Sequence, residues 1–170
     1  MYLLKEMKEI KYILVLLGLS TLLLPSCVKE KEFPSTPAIE FLYYSNYSND
    51  SGDCVISFKD GDGDIGILAG DASSPNDFLM TYYYKDTADG VFKLFDNPTT
   101  PAFDTLTYSY RVPNLTPDGQ YKALDGEIRA KLRAAPIYWP LHKTIKFEVS
   151  LRDRAGHLSN KVFTNEISVN

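Results

Sequence analysis

The chain has 170 residues, with 18 lysines and arginines against 22 aspartates and glutamates, giving a net charge of −4. No basic stripe stands out to neutralise phosphates, which argues against a nucleic-acid partner. With two cysteines and two histidines, the chain holds too few thiols for a disulfide scaffold and no paired histidines for zinc.

Lys5, Lys8 and Lys11 precede an apolar run, residues 12–24, which stops at Pro25-Ser26-Cys27. A basic opening, a short apolar segment and a small residue before the break describe a secretory signal over residues 1–26. A bilayer-spanning helix needs about 20 apolar residues, so the run is too short for an ordinary membrane anchor. Leu24-Pro25-Ser26-Cys27 resembles the lipobox of bacterial lipoproteins. The resemblance implies cleavage before Cys27, a diacylglycerol on its sulfur and an acylated amine. Two or more acyl chains hold a protein on a membrane stably, so the expected partner at this end is the membrane itself. Val28 stands where an aspartate would imply retention at the inner membrane, which favours the outer one. Val28-Lys29-Glu30-Lys31-Glu32 resembles the charged signal that sends Bacteroidetes lipoproteins to the cell surface. Both faces of the outer membrane stay open.

From Cys27 onward 144 residues remain, with 15 basic and 20 acidic side chains, a normal size for one domain. Cys54 is then the only cysteine besides the lipidated one, so a hydrophobic core has to hold the fold. It alternates with Ile56 and Phe58, the setting of a buried small hydrophobe rather than a nucleophile. Residues 27–37 run from the lipidated cysteine through charges into Phe33-Pro34-Ser35-Thr36-Pro37, an extended tether. The domain is expected over residues 38–170.

Short β-patterned runs follow one another between turn signals. Residues 38–44 place Ile39, Phe41 and Tyr43 on one face, and residues 54–59 alternate likewise. Residues 78–85 are rich in aromatics, residues 91–95 follow the Asp89-Gly90 turn, and residues 106–112 alternate up to Pro113. Residues 127–133 set Ile128, Ala130 and Leu132 against Glu127, Arg129 and Lys131. The clearest strand is residues 144–152, with Ile145, Phe147, Val149 and Leu151 facing inward. After a turn at Asp153-Arg154-Ala155-Gly156-His157, residues 161–169 return as its partner. Residues 116–124 are long enough for a short helical turn and nothing more. About seven to eight strands without intervening helices predict an all-β, antiparallel immunoglobulin-like β-sandwich, with a small barrel as the alternative.

"ISFKDGDGDIG" at residues 56–66 and "TIKFEVSLRDRAGHLSNKVFTNEI" at residues 144–167 are together similar to uncharacterised Bacteroidetes lipoproteins that combine a lipobox with these motifs. The second also resembles the last hairpin of bacterial immunoglobulin-like and fibronectin-like modules, which implies the sandwich. The family implies no activity.

Alternate aspartates separated by glycines let a tight loop turn carboxylates inward, and calcium takes six to eight oxygen ligands. In an EF-hand register Asp60, Asp62 and Asp64 fill positions one, three and five and Asp71 position twelve, but Ile65 stands where the turn glycine belongs. An EF-hand is therefore excluded. A looser calcium loop and a plain polar turn both remain open. If residues 54–59 are strand B and 144–152 strand F, Asp153 lies at the same end of the sandwich and joins the candidate ligands. Arg152 and Arg154 are alternative neutralisers of these carboxylates. No nucleophile elbow or Ser-His-Asp arrangement is visible, so no enzyme is expected. His142 and His157 are expected in exposed loops, and Trp139, between Pro136 and Pro140, as a plug at the sandwich end. By alternation either Tyr83, or Tyr82 with Tyr84, points outward from the strand, and Tyr83 is the candidate ligand-binding residue if the protein is a carbohydrate-binding module. The primary expectation is a lipid-anchored binding or structural module of the envelope, its partner an unknown envelope protein or glycan.

Overall fold

The computed structural model describes residues 32–48, 51–95, 105–133 and 141–169. Residues 1–26, expected to be a signal segment, and Cys27 and Trp139 lie outside them. Among the described residues nine strands form: β1 (Ala38–Ser48), β2 (Ser51–Asp60), β3 (Phe78–Lys85), β4 (Phe92–Leu94), β5 (Thr107–Tyr110), β6 (Leu124–Arg133), β7 (Thr144–Leu151), β8 (Val162–Phe163) and β9 (Ile167–Ser168). Among the described residues there is no helix, including across residues 116–124.

The strands assemble as two antiparallel sheets, one of three strands in the order β1-β2-β6 and one of six. In the second, β3 and β7 are the central pair, β4 and β5 share the outer edge of β3, and β8 and β9 share the outer edge of β7. In immunoglobulin lettering β1, β2 and β6 are A, B and E, while β3, β7 and β8/β9 are C, F and G. The ladders end in two sheets, so the sandwich forms rather than the barrel.

Alternation decides which residues fill the space between the sheets. In β7, Ile145, Phe147, Val149 and Leu151 are fully buried while their neighbours are half-exposed. Ile128, Ala130 and Leu132 of β6 and Phe78, Met80 and Tyr82 of β3 meet them in one core. Each of the larger of these side chains, once enclosed, contributes roughly 1.5–3 kcal/mol. Cys54 is part of that core as a free thiol, and burial pushes its pKa up to about 12.

Two departures from simple alternation have physical causes. A bulge at Leu42 shifts β1 between Phe41 and Tyr43, so Tyr43 turns outward and Tyr44, not Tyr43, packs on Phe147. The expected single strand over residues 161–169 is interrupted because the Thr164 hydroxyl, not a backbone carbonyl, accepts the Phe147 N–H at 3.0 Å. His142 corrects the expectation of an exposed loop residue: it is 8% exposed. Its ring stacks on Tyr84 at 4.0 Å and shares a 3.1 Å hydrogen bond with the Tyr82 hydroxyl. Burial lowers its pKa, which favours the neutral ring.

Candidate functional site

Strand β2 ends at Asp60, and the chain then makes a compact loop against two others. Gly63 and Gly66 both adopt positive φ, at 69° and 87°. A Cβ on either would meet a backbone oxygen, that of Lys122 at 2.1 Å or that of Pro113 at 2.0 Å. Glycine is thus required twice over, for backbone conformation and for close approach. Between them Ile65, fully buried, anchors the loop in the core and forms an antiparallel bridge with Asp153. Ile65 C=O accepts Leu115 N–H at 3.0 Å, and Ile67 N–H donates to Val112 C=O at 2.9 Å. The loop is therefore pinned between the turn after β7 and the segment before β6.

This packing brings Asp60, Asp64 and Asp153 together, each offering a carboxylate oxygen within 4.8 Å of the others. Asp60 is fully buried and Asp153 is 4% exposed, whereas Asp64 is partly open. Asp60 Oδ2 accepts the Asp64 N–H at 3.1 Å and Asp64 Oδ2 accepts the Ala155 N–H at 3.0 Å. Asp60 Oδ1 and Asp64 Oδ1 are enclosed and have no hydrogen-bond partner. Burial, reinforced by Asp62 and Asp64, pushes the Asp60 pKa up to about 6. Burial also raises that of Asp64, with the Asp153 and Asp62 charges adding to it.

The other predicted residues are placed apart. Asp62 is exposed beside the cluster and is not one of the converging three. Asp71 uses its carboxylate to accept from the backbone and hydroxyl groups of Ser73 and Ser74, which hold its pKa low. Neither predicted arginine pairs directly with the cluster, although the Arg154 charge partly offsets the rise in the Asp64 pKa. The Arg154 guanidinium donates instead to Gly66 C=O at 2.7 Å, Asn114 Oδ1 at 2.8 Å and the Thr116 hydroxyl. Among the described residues no lysine or arginine forms an ion pair with Asp60, Asp64 or Asp153.

The group that does reach the cluster is His157, which sequence spacing alone did not single out. Its Nδ1 lies 2.8 Å from Asp153 Oδ2 and its N–H donates to Asp153 Oδ1 at 2.7 Å. The hydrogen bond to Asp153, with that carboxylate's charge, raises the imidazole pKa. The four-residue spacing of Asp153 and His157 around a glycine was the available signal. A cavity of about 130 Å³ adjoins Asp153, walled in part by Arg152 and the buried Asp77.

Tyr83 does face outward from β3, but its ring is not a bare platform. Its hydroxyl donates to Glu148 at 3.2 Å, and Lys146 Nζ lies over it at 5.8 Å. The same ammonium sits 4.4 Å from the Phe92 ring centre and 4.2 Å from that of Phe163, a cation–π arrangement internal to the sheet. Comparison with known proteins adds no relative: no family model, no curated protein and no solved structure matches the chain.

Proposed function

We propose that the protein is a non-catalytic, lipid-anchored β-sandwich module of the outer membrane, and that a calcium ion held by Asp60, Asp64 and Asp153 ties its B–C loop to the turn after strand F. The observation that carries the cation is Asp60 Oδ1: a buried carboxylate oxygen with no partner, facing two further carboxylates. Burying an unpaired charge costs several kcal/mol, and a protein relieves that by protonation, pairing or metal binding. An all-oxygen donor set selects a hard cation such as calcium over zinc or copper. Calcium supplies two positive charges against the three carboxylates. The lipid anchor rests on the lipobox-like Leu24-Pro25-Ser26-Cys27.

Two measurements test the two halves. Mass spectrometry of the membrane-extracted protein should find diacylglycerol on Cys27, and Cys27→Ser should release the protein from membranes. A water-soluble wild-type protein sinks the anchor. Calcium at a hundredfold excess over its Kd should stabilise the domain by about 2.7 kcal/mol, and Asp60→Asn should abolish the gain. A melting temperature indifferent to calcium sinks the cation. The carbohydrate-binding alternative predicts glycan retention that Tyr83→Ala removes, although Lys146 and Glu148 already engage that residue.

A further inference from the structure

We propose that the loop end carrying Asp60, Asp64 and Asp153 faces the bilayer that anchors the chain, and docks on its anionic headgroup surface when calcium is bound. This orientation presupposes the lipid anchor and the calcium ion proposed above and adds a partner surface to them. The tether is fixed at this end of the sandwich. Gly61 N–H donates to Pro34 C=O at 2.9 Å, and a Cβ on Gly61 would meet the Phe33 carbonyl oxygen at 2.1 Å. Pro37 is buried, and Ile39 is hydrogen-bonded to Asn160 just beyond the turn after β7.

Only six residue steps therefore separate Cys27 from the docked Phe33, a span of at most about 20 Å whatever their conformation. Strand β2, with 10 residues, is about 33 Å long. Turning the opposite end of the sandwich toward the membrane would lift Phe33 farther from the surface than the tether reaches. In every orientation the tether permits, Phe33 and the loop end it docks on stay within about 20 Å of the headgroups.

The three loops at that end each present an exposed apolar side chain: Leu68 (52% exposed), Tyr121 (64%) and Leu158 (48%). Such residues suit the interface between headgroups and acyl chains. The intervening carboxylates, exposed Asp62 and Asp118 among them, are repelled by an anionic leaflet. Calcium removes two of those negative charges, and the apolar tips then reach the interface. The charge balance makes docking calcium-dependent.

The test uses the full lipidated protein in vesicles of phosphatidylethanolamine and phosphatidylglycerol doped with brominated phosphatidylcholine. The single native tryptophan is removed as Trp139→Phe, and a reporter is introduced as Leu158→Trp. A second protein carries Val91→Trp, at the opposite end of β3 where the chain turns into β4. Bromolipid should quench the Leu158→Trp protein when calcium is present, EGTA should reverse the loss, and the Val91→Trp protein should stay bright. Equal quenching of both reporters, or quenching of the first that ignores calcium, overturns the proposal. So does no quenching in protein whose lipid is confirmed by mass and whose melting temperature rises with calcium. Absence of the lipid or of the thermal shift marks instead the failure of the reading beneath it, and the orientation falls with it.

Discussion

The side-chain amide of Asn160 grips the backbone of Ile39 on both sides, accepting its N–H and donating to its C=O, each at 2.8 Å. An amide here imitates one rung of a β-ladder and joins the turn after β7 to β1, across the two sheets. Removing it leaves two main-chain groups of Ile39 without partners, at a cost of about 1–3 kcal/mol each if they stay dry. Asn160→Ala should therefore lower the urea midpoint with an unchanged m-value. Asn160→Asp should not rescue it, because a carboxylate keeps the acceptor and loses the donor. A wild-type midpoint in both variants would show that the clasp contributes nothing.

Gly66 and Gly70 separate steric from conformational demands within one loop. Both have positive φ, 87° and 83°, which disfavours any side chain by roughly 1–2 kcal/mol. Only Gly66 also lies against backbone, whereas nothing lies within 4 Å of a Cβ on Gly70. Gly66→Ala should destabilise the domain more than Gly70→Ala, and should weaken calcium binding as the loop shifts. Equal thermal shifts for the two variants would remove close approach as the reason for the glycine.

Much of this architecture was legible because burial enforces it. The period-two runs of β6 and β7 fixed their inward faces, and the B and F assignments placed Asp153 beside the Asp60 loop. Local pattern failed where a tertiary contact overrode it. The bulge at Leu42 reversed the phase of β1 and exchanged Tyr43 for Tyr44. His142 reads as a polar loop residue but is buried because Tyr82, Tyr84 and Phe95 surround its ring. Asp71 completes a ligand spacing on paper, yet two serines two and three residues further on satisfy its carboxylate locally. Spacing records which residues could converge. Hydrogen-bond supply decides which do.

Thr164 marks another place where a side chain replaces backbone. Its hydroxyl accepts the buried Phe147 N–H at 3.0 Å and donates to Asn165 C=O at 3.0 Å. Thr164→Val keeps the shape and β-propensity of the residue but strands that N–H inside the sheet. The expected loss is about 1–3 kcal/mol. Amide exchange at Phe147 should quicken disproportionately, since the opening is local. A Thr164→Val protein with unaltered stability and exchange would mean that water or a shifted carbonyl takes over the role.

His157 gives a direct reading of the Asp153 carboxylate. The contact raises the imidazole pKa above its ordinary value. This pair therefore stabilises the fold fully below the unfolded-state pKa near 6.5, and the contribution fades as pH rises through the higher folded value. Proton NMR titration of the calcium-free protein should place the His157 midpoint above about 6.5, and Asp153→Asn should bring it down. Calcium should also lower it, since a cation at Asp153 opposes the imidazolium. A midpoint that neither change moves would separate His157 from the cluster.

Asp60 makes the cation reading testable by the sign of a slope. Its folded pKa is pushed up to about 6, whereas the unfolded chain titrates near 3.9. Between about pH 4 and 6 the native state thus holds the Asp60 proton that the unfolded state has lost, so without calcium this group costs stability as pH rises. Asp64 acts in the same direction. Asp71, Asp86 and Asp89 are held below the ordinary value and act oppositely, so the Asp60 contribution has to be read as the difference between wild type and Asp60→Asn. Calcium-free, Asp60→Asn should gain on wild type by on the order of 2 kcal/mol from pH 4 to pH 7. With saturating calcium the difference should reverse, because the ion binds ionised carboxylates and stabilises wild type more as pH rises. Denaturation midpoints for both proteins across that range, with calcium and with EGTA, measure both slopes. A difference curve that keeps one sign in calcium and in EGTA would leave Asp60 as a buried, protonated turn residue and no ligand.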